Sequence, residues 1–247
     1  FVGLANYLQI FTKDREVKNS LAVTFKFVFM SVPMKLLSAL LIAMILNQTL
    51  KGIGLFRTIY YLPSILGGSV AIAILWRHLF DLNGVVNVFL NKLGIRSIGF
   101  LTDPKIALTT ISMLSVWQFG SSMLFFLAAL KQVPQSLYEA AKIDGCGDFK
   151  IFLRIIIPVI KPALASWASV TLIARWNDFF WPLLYLRKQA KYTLMVTISL
   201  LPVSEGLSTP WPVILAGTTL VIVPIVVLYL LLQTFQKAGL MAGAVKG

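Results

Sequence analysis

PQSLYEAAKIDGCGDFKIFLRIIIP, residues 134–158, is a charged island between long apolar runs. Pro134 suits a first helical position, where its missing N–H would be unsatisfied in any case. Leu137, Ala140, Ala141 and Asp144 follow at i, i+3, i+4 and i+7, giving one face that is mostly small and apolar. Asp144-Gly145 reads as a stop, because Gly145 is free to take the positive φ that ends a helix. Asp148 is placed to cap a second helix, whose Phe149, Phe152, Leu153 and Ile156 repeat at helical spacing. Pro158 marks entry into the next apolar run. Together these features predict a short docking helix held close to a membrane.

The membrane follows from composition. Of 247 residues, 58% are hydrophobic and 13% charged, against about 25% charged in a soluble domain. Long apolar runs separated by short polar links predict an all-α, polytopic transmembrane helical bundle. The net charge of +13 fits basic residues that flank membrane helices and meet anionic lipid head groups. No basic, aromatic-interleaved stripe lies on a soluble segment, so nucleic acid is not an expected partner. Cys146 is the one cysteine and forms no internal disulfide.

Outward from the island, residues 1–19 are amphipathic and predict an interfacial segment lying on the bilayer. Residues 20–247 read as one transmembrane domain. Its first span is expected at 20–46, interrupted by Lys26, Pro33 and Lys35, and its second at about 58–79. In the second, Pro63 and Gly67-Gly68 permit a kink or close packing. A loop at 80–102 carries a short amphipathic piece, VVNVFLNKLG. Thr102-Asp103-Pro104 then opens a third span running to about Leu130. The island loop, 131–158, precedes a fourth span at about 156–184. Residues 186–211 read as a re-entrant or surface loop, their apolar middle being too short to cross. A fifth span covers about Pro212–Leu232, followed by a polar tail. The chain opens at Phe1 without a methionine, and a sixth span is expected upstream. Basic residues divide almost evenly between the two sides, so charge does not orient the bundle.

Several chemistries are absent from the sequence. There is no G-x-x-x-x-G-K-[ST] phosphate loop, so nucleotide hydrolysis is not expected in this chain. His78 is the only histidine and Cys146 the only cysteine, which disfavours both a metal site and a catalytic triad. No catalytic residue is assigned. The polar clusters within spans are Trp117-Gln118 and Arg175-Trp176-Asn177-Asp178. Intramembrane polar and aromatic residues are candidates for a solute path, and Trp117, Gln118, Trp176, Asn177 and Asp178 are selected on that ground. Trp176 has an alternative place at an interface, and Asn177-Asp178 an alternative role as a helix end.

Glu139-Ala140-Ala141, three residues, Gly145, nine residues, then Ile155-x-Ile157-Pro158 resembles the E-A-A…G…I-x-L-P loop. That loop belongs to the membrane-spanning permease subunits of binding-protein-dependent ABC importers. Leu55-Phe-Arg57-Thr58, Leu62-Pro63 and Tyr138–Gly145 look like carbohydrate importers of the maltose type. The opening FVGLxNY and residues up to about 165 look like one member of the usual membrane heterodimer. Trp176-Asn177-Asp178-Phe179, Trp181-Pro182-Leu183 and the ending Gly243–Gly247 look like the other.

The resemblance implies that the island is a cytoplasmic coupling helix docking in a groove of an ATPase subunit. Glu139, Ala140, Ala141, Lys142, Asp144, Gly145 and Pro158 are the residues it assigns to that contact. It implies a second permease subunit in a hetero- or homodimer, two cytoplasmic ATPase subunits binding ATP and Mg, and an extracytoplasmic solute-binding protein. No cofactor is expected in this chain. The location implied is a bacterial or archaeal plasma (inner) membrane, and the cargo a sugar or oligosaccharide. The competing reading is an ion-coupled or passive transporter without an ATPase, which would place more ionisable residues deep in its spans.

Overall fold

The computed structural model describes residues 3, 5–12, 15–48, 51–204 and 211–244, with side chains described for 3, 5–8, 16–48, 51–200 and 211–235. Phe1, Val2 and Leu4 of the opening motif, the end of the 186–211 loop and Val245–Gly247 lie outside the described residues. Among these residues there is no strand. The helices are α1 (Ala5–Thr12), α2 (Arg15–Leu46), α3 (Ile53–Leu66), α4 (Val70–Leu79), α5 (Val85–Lys92), α6 (Ala107–Trp117) and α7 (Gly120–Lys131). They continue with α8 (Gln135–Ile143), α9 (Asp148–Ile151), α10 (Ile157–Trp176), α11 (Phe180–Tyr185), α12 (Leu194–Ser204) and α13 (Trp211–Ala244).

Three stretches are long and apolar enough to cross a membrane: Glu16–Leu46, Asp148–Trp176 and Trp211–Phe235. Two bent pairs join them, α3–α4 at 98° and α6–α7 at 49°. Each pair passes the same length and composition test only as a unit, which gives up to five spans among the described residues. The first bend falls at Gly67-Gly68, where the sequence permits it.

Several boundaries differ from expectation, each for a local reason. Residues 15–19 are continuous with the first span in α2, with Val17 and Ser20 facing inward. α1 packs on α2 and α13. The third span starts at Ala107, not at Thr102. Asp103 instead makes a tight turn, its Oδ1 accepting the Lys105 N–H at 2.8 Å and its carbonyl accepting the Ala107 N–H at 2.9 Å. The fourth span begins at Asp148, and Pro158 lies inside it. A π turn at Phe152–Ile156 lets the Ile157 N–H reach back to the Phe152 carbonyl, which accommodates a proline that has no N–H to give. That span ends at Trp176, because the Asn177 side chain donates to the Ile173 carbonyl at 3.1 Å and turns the chain. α13 runs to Ala244 and takes up most of the expected tail as helix.

The 186–211 loop contains α12, 11 residues long and therefore about 16 Å, too short to cross. It docks on α2 by paired hydroxyls. Ser20 Oγ lies 2.6 Å from Thr197 Oγ1, and Thr24 Oγ1 accepts the Leu194 N–H at 2.8 Å. Apolar packing gathers in three clusters, one at the island end of α2, α7 and α10, one among α2, α4, α6 and α11, and one among α2, α10, α12 and α13.

The two bent pairs meet at their breaks. Ser64 Oγ donates to the Gln118 carbonyl and accepts the Ser121 N–H, both at 3.1 Å, while Gln118 Nε2 donates to the Gly67 carbonyl at 3.2 Å. Backbone groups freed by both bends are thereby paired, as an apolar surrounding demands. Gly120 allows the approach, since a Cβ there would stand 2.6 Å from the Tyr60 carbonyl oxygen and 2.7 Å from Tyr61 Cα.

Candidate functional site

The island folds as helix, turn, helix. α8 closes with two bonds, Gly145 N–H to the Lys142 carbonyl at 3.0 Å and Cys146 N–H to the Ala141 carbonyl at 2.9 Å. This is the Schellman arrangement, and it needs a left-handed residue. Gly145 supplies it at φ 72°. Asp148 is the first residue of α9 and makes no cap bond; Gly147 holds the cap position. The Asp148 carboxylate still favours the helix start by charge.

Helical spacing groups Leu137, Ala140, Ala141 and Asp144, but the structure divides them. Ala141 is buried to 4% exposure among Leu46, Leu130, Val133 and Ile151 at the ends of α2, α7 and α9, with Tyr138 packed against the same cluster. Burial pushes the Tyr138 phenol above its ordinary value. Leu137, Glu139, Ala140, Lys142 and Asp144 face outward. So do Ile143 at 86% exposure, an apolar side chain that spacing does not single out, and Phe149 at 75%, which spacing groups with the apolar face of the second helix. Thus Ala141 is small so that α8 can lie against its own bundle, while Ala140 leaves the outer face low. The outward side chains therefore include the apolar Leu137, Ile143 and Phe149 as well as the charged Glu139 and Lys142. Pro158 lies away from it, inside the membrane-crossing helix.

The solute-path candidates fall in two places. Trp117 stacks edge-on against Trp76 with ring centroids 5.2 Å apart, beside the α4–α6–α11 cluster. Gln118 is held in the junction of the two bent pairs. Trp176 is buried in the α2–α12–α13 cluster, its indole N–H donating to the Val221 carbonyl at 2.9 Å. This fixes Trp176 in helix packing and leaves it no open face. Asp178 pairs with Arg175 at 2.8 Å in a nearly buried bridge, and its Oδ1 accepts the Trp181 N–H at 3.3 Å. Asn177 is the exposed member. It lines a cavity of about 390 Å³ with Ser199, Thr218, Met195 and Ile214. Ser199 and Thr218 carried no signal in the sequence, because each sits in an apolar run that reads as lipid-facing. Of the lysines within spans, Lys26 is exposed, Lys161 of α10 has its Nζ 4.7 Å over the Phe235 ring, and Lys35 is near the Arg175–Asp178 pair.

Comparison with known proteins places these features. A probable ABC transporter permease of Bacillus subtilis is 48% identical over 165 residues, 66% of this chain and 53% of that protein. The trehalose/maltose transport system permease of Thermococcus litoralis is 38% identical over 180 residues, 72% of this chain and 59% of that protein. The chain spans between half and two-thirds of the length of these relatives. Among solved structures, a bacterial ABC transporter importing the acidic polysaccharide alginate superposes with a TM-score of 0.83 at 21% identity, over 96% of this chain and 84% of that one. That likeness is one of fold. A family model, described as the binding-protein-dependent transport system inner membrane component, matches residues 10–239. The chain therefore belongs to the family of binding-protein-dependent transport system inner membrane components.

Proposed function

We propose that this chain is a membrane-spanning permease subunit of an ATP-driven importer in a bacterial or archaeal plasma membrane. With a second permease subunit it forms the pathway for a sugar or oligosaccharide delivered by an extracytoplasmic solute-binding protein. ATP and Mg are bound by two separate cytoplasmic ATPase subunits. Family membership favours this over an ion-coupled or passive transporter.

The observation that carries the reading is the exposure of large apolar side chains on a firmly seated island. α8 is held to the bundle through Ala141 and Tyr138, yet Ile143 at its end and Phe149 on α9 stand exposed, as side chains meant for a protein groove would. Glu139 and Lys142, also exposed on α8, can pair with charges of the ATPase. On the path side, Asn177 with Ser199 and Thr218 offers amide and hydroxyl groups at a cavity wall, suited to sugar hydroxyls. Trp117 and Gln118 form a separate wall. Trp176 and Asp178 support the path by holding Asn177 in place.

The test is Ile143→Asp in the assembled transporter. Loss of ATPase co-purification and of solute-stimulated ATP hydrolysis, with the permease still folded, is expected. Undiminished co-purification and hydrolysis would refute the docking surface.

A further inference from the structure

The loop at 80–102 has an inside-out helix. Asn87 of α5 is wholly buried, at 0% exposure. Its Nδ2 donates to the Asp81 and Ile98 carbonyls, both at 2.9 Å, and its Oδ1 accepts the Ile98 N–H at 2.8 Å. The polar side chain thus closes the loop on itself from within. The opposite face carries Val85 at 66% exposure, Phe89 at 62%, and also Val88 and Leu93 exposed. A helix in water would bury the valines and phenylalanine and expose the asparagine.

The depth of this helix is fixed by the helix before it. A Cβ on Gly84 would collide with the His78 carbonyl oxygen and stand 2.6 Å from that of Leu79, so α5 starts jammed on the end of α4. α4 presents Val70, Ile74 and Leu75 outward and ends in Trp76-Arg77-His78-Leu79-Phe80, the aromatic and basic mixture of a membrane–water boundary. α5 therefore starts at that boundary, with its apolar face exposed. Lys92, the last residue of α5, and Arg96, both exposed, lie at the C-terminal end of that face. Their stems can lie along it with the charges at headgroup level.

We propose that α5 is an interfacial anchor, with Val85, Val88, Phe89 and Leu93 inserted into the leaflet opposite the island and Lys92 and Arg96 meeting anionic phospholipid head groups. An amphipathic helix so placed buries its apolar face roughly 5–10 Å into the boundary. The anchor is independent of which solute is carried and of whether an ATPase docks on the island.

The test uses the full chain, with its co-purifying subunits, in vesicles of three parts zwitterionic to one part anionic phospholipid. In a Cys146→Ser background, Phe89→Cys carries a bimane label, and Lys188→Cys, at an exposed position outside the island, serves as the water-exposed reference. Acyl-brominated lipid is expected to quench the label at position 89 and leave that at 188 unchanged, with the reverse for aqueous iodide. Lys92→Gln with Arg96→Gln should reduce the lipid quenching in anionic vesicles and not in purely zwitterionic ones. Equal iodide quenching at 89 and 188, with no effect of brominated lipid, overturns the proposal. Shielding at 89 that appears only when a solute-binding protein is added would make the face a protein contact and also overturn it. Should Phe89→Cys misfold, Val85→Cys gives the same readings.

Discussion

The island and the junction of the two bent helix pairs are both breaks in helical structure, and they are solved in opposite ways. At the junction, Ser64, Gln118 and Ser121 satisfy one another, and Gly120 lets two backbones touch. At the island the backbone is satisfied by its own turn, and a few inward residues seat α8, so that most of its side chains face away. A break that must hold the bundle is packed by backbone contact, whereas a break meant to be touched is kept rigid and uncovered.

Substitution can break that contrast. Gly120→Val should have the largest effect, because the added methyls meet backbone rather than flexible side chains. A loss of about 3 kcal/mol is expected from overpacking, read as a large drop in Tm and in monodisperse yield in detergent. An unchanged Tm would mean that the two pairs do not lock at this point.

Ala140 and Ala141 make a sharper comparison, being neighbours of one type. Ala141→Leu should cost about 2 kcal/mol by crowding the island-end cluster. Ala140→Leu should stay within about 0.5 kcal/mol while weakening retention of the ATPase on an affinity column. Equal thermal losses for the two would contradict the inward and outward division.

Next in size, Gly145→Val should cost roughly 1–2 kcal/mol, because a side chain at a left-handed position is strained. Gly147→Ala, at φ −69° and with nothing near its Cβ, should cost much less. The smallest effect on stability belongs to Phe149→Ser, within about 0.5 kcal/mol, although it should still lower solute-stimulated ATP hydrolysis. If Phe149→Ser instead melts the protein, Phe149 is core rather than surface.

What the sequence makes legible follows from how far each cause reaches. The stop at Asp144-Gly145 can be read because the steric rule for positive φ is local. The bend at Gly67-Gly68 and the shortness of the 186–211 apolar run are equally local. Which of two adjacent alanines faces the bundle is not local. It is settled by Leu46 and Leu130, brought together only when the chain packs. Likewise Trp176 reads as a solute-path candidate, with an interface as its alternative, until Val221, 45 residues on, accepts its indole proton. Asp148 and Asp103 look like caps by type, yet the helices start where the neighbouring turns release the backbone, at Asp148 itself and at Ala107. The π turn before Pro158 could not be seen, because a proline signals a missing bond and not how the chain repairs it.

That π turn has a mechanical consequence. It keeps Asp148–Trp176 a single helical member of 29 residues, with no loop between the island and Asn177. At about 1.5 Å per residue it is roughly 44 Å long, so a tilt of about 5° about one end displaces the other by nearly ~4 Å. A hinge at Pro158 would have absorbed such a tilt as bending. The turn instead keeps the helix continuous through the proline, so that a rotation of the helix as one body at one face of the membrane arrives at the other amplified by length.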